Sequence, residues 1–288
     1  MAIVYIHGVA VRDQQLKAVD GAGSGLLGRL LENITWETVE PRLRKFIAPE
    51  ISTKPSEVAT LHAYWGDLAA RLAWDGASCL MDAPQTASHR PSRRHLLSEI
   101  RGPLNQLGAQ FFGDVMCYFN ERGDASKPGS IPLRMLDVLS KAQEAKERTG
   151  EPIVVLTNSM GGEIMYDIVT HFLPRLPQYS SIRVDFWCSV AAQIGLFEEL
   201  KLFLASSPEY GKDHGNRVPF PDRQHLGTWW NVWDVADVIS YNVHDIIEGV
   251  EDTQFDVGKP LLEEHIGYLQ QDAFYTLFAE RVRQALGR

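Results

Sequence analysis

The segment EPIVVLTNSMGGEIMYDIV, residues 151–169, constrains the fold of this chain more than any other stretch. Ile153, Val154, Val155 and Leu156 form a short, mostly β-branched run behind a Gly-Glu-Pro punctuation, the pattern of a strand buried on both faces. Beyond Gly162, Ile164, Met165, Ile168 and Val169 recur at helical spacing. Ser159 stands at the bend. A strand that passes into a helix through so sharp a turn lifts a seryl Oγ above the sheet, and the helix N-terminus points backbone N–H groups at it. The residue pattern for such a nucleophile elbow is G-x-S-x-G; here it reads Thr157-Asn158-Ser159-Met160-Gly161, with the second glycine present and the first replaced. Small residues flank the serine because strand and helix cross closely, so Thr157 tightens the packing without forbidding it. The alternative is an ordinary Gly-Gly helix entry that Ser159 merely caps.

Around this unit the chain reads as alternating strands and helices. Ala2 to Ile6 is an apolar strand ending at His7-Gly8, and VATLHAYWGDLA is a second strand whose end carries Tyr64, Trp65 and Asp67. TWETVEPRLRKFI and LRMLDVLSKAQEAKERTG read as amphipathic helices, the latter stopped by Gly150. SIRVDFWCSVAAQIGLF reads as a strand passing into a loop, GTWWNVWDVADVIS as the next strand, and the C-terminal segment as a loop followed by an amphipathic helix. Such alternation predicts a mostly parallel sheet with helices on both faces. A length of 288 residues suits one large α/β domain. Between about residues 68 and 113 the pattern turns irregular and apolar around a charged loop, where an inserted cap or lid is expected. The glycines at 21, 23 and 25 do not follow a strand or lead to an acidic strand end, so a dinucleotide fingerprint is rejected.

A net charge of −9 argues against a nucleic-acid partner. Cys79, Cys117 and Cys188 are odd in number and far apart, so neither a disulfide framework nor a zinc site is expected. No basic, apolar leader opens the sequence and no apolar run approaches membrane-spanning length, so a cytoplasmic protein is expected, with at most transient contact with a membrane surface.

A serine nucleophile needs a base, a group that orients the base, and donors for the oxyanion. His265, read as lying before the last helix, is the candidate base; His214, His225 and His244 are less suitably placed. Asp234 and Asp237, at and just past the end of the TWWNVW strand, are both candidates for the acid. The order Ser, Asp, His is that of the α/β-hydrolases.

With these residues in hand, the chain resembles an α/β-hydrolase of the lipase and esterase type over nearly its whole length. IVYIHG resembles the first core strand and its His-Gly turn, VVLTNSMGGEIMYDIV the elbow, WNVWDVADVIS the acid-bearing segment, and EHIGYL the H-x-x-Y segment that bears the base. The resemblance implies Ser159 as nucleophile, Asp237 as acid, His265 as base, and the N–H groups of Val9 and Met160 as oxyanion donors. Asp234 remains the alternative acid or a turn cap; His7 reads as structural, and Trp65 as a residue that could line the pocket. Asp167, on the elbow helix, is expected to be structural. The implied activity is cleavage of a carboxylic ester, of a lipid or another hydrophobic acyl group, with no metal or organic cofactor. An acyltransferase with the same residues, or an inactive hydrolase fold used for binding, are the alternatives.

Overall fold

The computed structural model describes residues 2–9, 11, 35–69, 111–213, 215–259 and 262–287. Six strands, β1 (Ala2–Ile6), β2 (Ala59–His62), β3 (Ile153–Asn158), β4 (Val184–Val190), β5 (Leu226–Trp233) and β6 (Glu251–Gln254), form one sheet in the order β2-β1-β3-β4-β5-β6. Every neighbouring pair is parallel. The chain starts in β1, steps outward to β2, then returns past β1 to β3, and each later strand extends the far edge. An open α/β sheet leaves a crevice at such a reversal, beyond the carboxyl ends of the two strands. The order and the all-parallel pairing fit the α/β-hydrolase fold expected from the sequence.

The strand sequences alternate between two cores. Val4, Ile6, Val155 and Trp187 face one side, where they meet Met135, Leu136 and Leu139 of α3 (Ser130–Thr149) and Ile164 and Met165 of α4 (Met160–Asp167). Ile3, Tyr5, Leu156, Cys188 and Trp230 face the other, against Val39 of α1 (Trp36–Arg42) and Phe274, Tyr275 and Phe278 of α7 (Asp272–Ala285). Both faces are thus covered, which an all-parallel sheet requires. Further helices among the described residues include α2 (residues 111–121), α5 (Ile194–Glu199) and α6 (Leu262–Gly267). Helix α3 ends at Gly150, whose φ of 71° places it in the left-handed region where glycine is favoured.

Two local readings are corrected, and one strand carried no signal. The residues after β4 enter the short helix α5, where a loop was expected. His265 lies within α6 instead of a loop, because Leu262–Gly267 completes one helical turn and a half before the 3₁₀ turn Tyr268–Gln270. The edge strand β6 has the sequence EDTQ, four polar residues at the sheet margin with no apolar alternation to announce them. Residues 70–110 of the expected lid at 68–113, the glycines at 21, 23 and 25, and Cys79 lie outside the described residues. No helix among the described residues is long and apolar enough to cross a membrane.

Candidate active site

The carboxyl ends of β1 and β3 lie side by side, Ile6 in register with Thr157. Ser159 follows β3 with φ 49° and ψ −130°, a left-handed conformation costly for a residue with a Cβ. The surroundings hold it there: its N–H donates to Val190 O at 2.9 Å and its carbonyl accepts from Gly162 N at 2.8 Å. Two glycines permit the close approach. A Cβ on Gly161 would stand 2.5 Å from Ile6 O, and one on Gly8 would stand 2.8 Å from the Ser159 Cβ. The elbow therefore demands glycine two residues after the serine. Before it, Thr157 is accommodated because its Oγ1 accepts the Trp187 indole N–H at 3.0 Å in a fully buried position.

Asp237 and His265 reach the same point from different directions. Asp234, Asp237 and Ser240 form consecutive turns beyond β5, with Asp237 N donating to Asp234 O at 3.2 Å and Ser240 N to Asp237 O at 3.1 Å. From α6, His265 turns Nδ1 toward Asp237, 2.9 Å from Oδ2 and 3.1 Å from Oδ1. Its Nε2 lies 3.0 Å from Ser159 Oγ. With Nδ1 protonated and donating to the carboxylate, Nε2 is left as an acceptor for the seryl O–H. The Asp237 carboxylate also accepts from Ile239 N at 3.2 Å and from the Tyr268 hydroxyl at 3.4 Å. Burial, and after it the neighbouring Asp237 charge, pushes the Tyr268 phenol well above its ordinary value, so it stays a donor.

Asp234 does not touch the imidazole. Its carboxylate accepts from Ala236 N at 3.4 Å and from Gln254 Nε2 at 3.3 Å, the behaviour of a turn-capping residue. Of the other histidines, His225 Nδ1 contacts Ile182 O and His244 Nδ1 contacts Val250 O, while His214 lies outside the described residues. His7 is fully buried beneath the β1 turn. Its Nδ1 donates to Gly8 O at 2.6 Å and its Nε2 accepts Trp65 N–H at 3.1 Å. Trp65 stacks on it at 5.3 Å and returns its indole N–H to His7 O. The pair braces the turn that leads to Val9. Met160 opens α4, and neither its N–H nor that of Val9 enters a backbone hydrogen bond among the described residues. Asp167 accepts from Tyr118, Arg122 and Leu204, which makes it a structural group.

Two residues without a sequence signal complete the support. Glu163, one turn after Ser159, is fully buried, and its Oε1 accepts Gln193 N–H at 2.6 Å. Gln193 in turn donates from Nε2 to Ala191 O at 2.8 Å and to Ile239 O at 2.7 Å. The elbow helix is thereby linked to the turn that holds Asp237. Burial above all pushes the Glu163 carboxyl up to about 8. A lone Glu in a first helical turn ordinarily reads as favourable to the helix dipole, so nothing marked it.

No family model matches this sequence, and a sequence search of curated proteins finds no match. Among solved structures, a variant of SOBER1 from Arabidopsis thaliana aligns over 99% of this chain and 100% of its own, with 9% identity and a TM-score of 0.36. At that score and identity the likeness bears on neither fold nor chemistry, which rest on the strand order and side-chain geometry above.

Proposed function

We propose that this protein is a serine hydrolase that cleaves a carboxylic ester through an acyl-enzyme on Ser159. One observation carries the reading: the unbroken line from Ser159 Oγ through His265 to the Asp237 carboxylate, 3.0 Å and 2.9 Å long at its two hydrogen bonds. His265 takes the seryl proton as Oγ attacks the ester carbonyl, and gives it to the departing alcohol. A water then enters by the reverse sequence and frees the acid. Asp237 fixes the imidazole tautomer and stabilises the imidazolium. The Val9 and Met160 N–H groups receive the charge that develops on the carbonyl oxygen. No step calls for a metal or an organic cofactor.

An apolar acyl group is the favoured substrate class. Val235 and Val238, which flank Asp237, are 67% and 62% exposed, an unusual place for two branched apolar side chains unless they meet something apolar. A series of p-nitrophenyl esters of increasing acyl length tests both parts of the reading. Wild type is expected to hydrolyse the longer esters better, and Ser159→Ala to lose on the order of a million-fold in turnover. Substantial ester turnover by a folded Ser159→Ala protein would assign the nucleophile elsewhere.

A further inference from the structure

At the carboxyl end of β4, residues 190–193 run between the elbow and the turn that carries Asp237. Val190 O accepts the Ser159 N–H at 2.9 Å, and Ala191 N donates to Val232 O at 3.0 Å. Ala191 has a φ of 55°, in the left-handed region that a residue with a Cβ adopts only where its surroundings hold it. Gln193 supplies part of that hold. It is 2% exposed, and its Nε2 donates to Ala191 O at 2.8 Å and across to Ile239 O at 2.7 Å. Both acceptors are carbonyls, so the partners fix the orientation of the amide: turned over, Oε1 would face two oxygens. Oε1 is sealed from solvent and has no hydrogen-bond partner among the described residues.

A buried amide that leaves its acceptor unpartnered is unfavourable, so filling space gives no reason for glutamine at this position. What the side chain offers is two N–H donors on one planar group, long enough to tie two backbone carbonyls together. Ile239, whose carbonyl takes one of them, donates its own N–H to Asp237 Oδ1 at 3.2 Å. That leaves Oδ2 facing His265 Nδ1 at 2.9 Å. On the other side, the Gln193 N–H is held by Glu163 Oε1 at 2.6 Å. The contacts close a circuit. Glu163 lies one turn beyond Ser159, Gln193 joins Glu163 to Ile239, Ile239 holds Asp237, and Asp237 holds the His265 ring that returns to Ser159 Oγ.

We propose that Gln193 is a positioning residue for the hydrolytic reaction, fixing the Asp237 carboxylate against the His265 imidazole by anchoring Ile239. This role rests on the reading of Ser159, His265 and Asp237 as the acting residues. Gln193 lies outside the bond-making steps, and its whole effect on turnover passes through Asp237. Without its two donors the acid-bearing turn loses its side-chain tie to the end of β4. Tyr241 N still donates to Ala192 O at 3.2 Å, so the turn shifts without unfolding. A shift on the order of 1 Å takes the Asp237–His265 contact beyond hydrogen-bond reach and lowers turnover about a hundredfold.

Gln193→Met keeps the length and much of the volume of the side chain and removes both donors. With p-nitrophenyl acetate as substrate, it should lower kcat about a hundredfold in the wild-type background but less than about threefold in Asp237→Asn. A residue with a merely structural role would lower both by the same factor. A second readout needs no substrate: the far-downfield ¹H NMR resonance of the His265 Nδ1 proton, identified by its absence in His265→Ala. It should move upfield or vanish by exchange in folded Gln193→Met. If Gln193→Met does not fold, Gln193→Asn carries both measurements, since it keeps an amide but is one methylene too short to bridge both carbonyls. A kcat within about threefold of wild type, an equal loss in both backgrounds, or an unchanged resonance would overturn the proposal. A wild type that cleaves no ester, with a resonance that still responds to Gln193→Met, would overturn the hydrolase reading and leave the positioning of Asp237 by Gln193 standing.

Discussion

Replacing Glu163 by glutamine should change how stability depends on pH. The carboxyl is fully buried in the first turn of α4, its Oε1 takes the Gln193 N–H, and its Oε2 has no partner among the described residues. Burial raises it from 4.5 to about 8, against the lowering effect of its own N–H and that of Gln193. Between those two values the folded protein keeps a proton that the unfolded chain has released. The folded state binds more protons there, so its stability falls as pH rises through the window. At about 1.4 kcal/mol per unit, the shift corresponds to on the order of 5 kcal/mol lost from pH 4.5 to above pH 8. Glutamine keeps the acceptor for Gln193 and removes the titration. The melting curves of Glu163→Gln and wild type, taken from pH 5 to pH 9, should therefore nearly coincide at the acid end. They should separate with rising pH until the variant melts on the order of 10 °C higher. Parallel Tm profiles over the whole range would refute the reasoning, since they would mean that the buried carboxyl carries the same charge in both states.

Other substitutions probe the geometry around the serine. Gly161→Ala places a Cβ 2.5 Å from Ile6 O, a backbone atom of the central sheet, and should cost roughly 1–3 kcal/mol in urea unfolding; an unchanged midpoint would contradict the close crossing. Thr157→Gly strips the acceptor from the buried Trp187 indole and should cost about 1–3 kcal/mol, while the rate of the folded enzyme stays within a few-fold. A stabilised Thr157→Gly protein would show that the threonine hydroxyl is dispensable to the core. Asp237→Asn disturbs the tautomer of His265 and should lower ester turnover by up to about ten-thousand-fold with little change in Tm; near-normal kcat would remove Asp237 from the mechanism.

What the sequence revealed was local or fixed by order along the chain. The elbow is readable because a β-branched run, a bend and a helical repeat follow one another within residues 153–169, and the structure places β3, Ser159 and α4 there. Asp237 and His265 are remote from that segment, and only their order and the surrounding motif pointed to them; the structure brings both to Ser159. What escaped depends on tertiary contact. Glu163 is indistinguishable in sequence from an exposed first-turn acid, and its burial arises only when the turn carrying Gln193 closes over it. The strand β6 consists of polar residues whose extended form comes from pairing with β5.

The central claim is that Ser159 is a nucleophile activated by His265 and Asp237. Its most direct test is incubation of the folded protein with a fluorophosphonate probe, followed by peptide mass mapping of the labelled site. The account predicts one phosphonylated residue, Ser159, with labelling abolished in Ser159→Ala and strongly slowed in Asp237→Asn. A folded wild-type protein that takes up no probe, or takes it up at another residue, would contradict it.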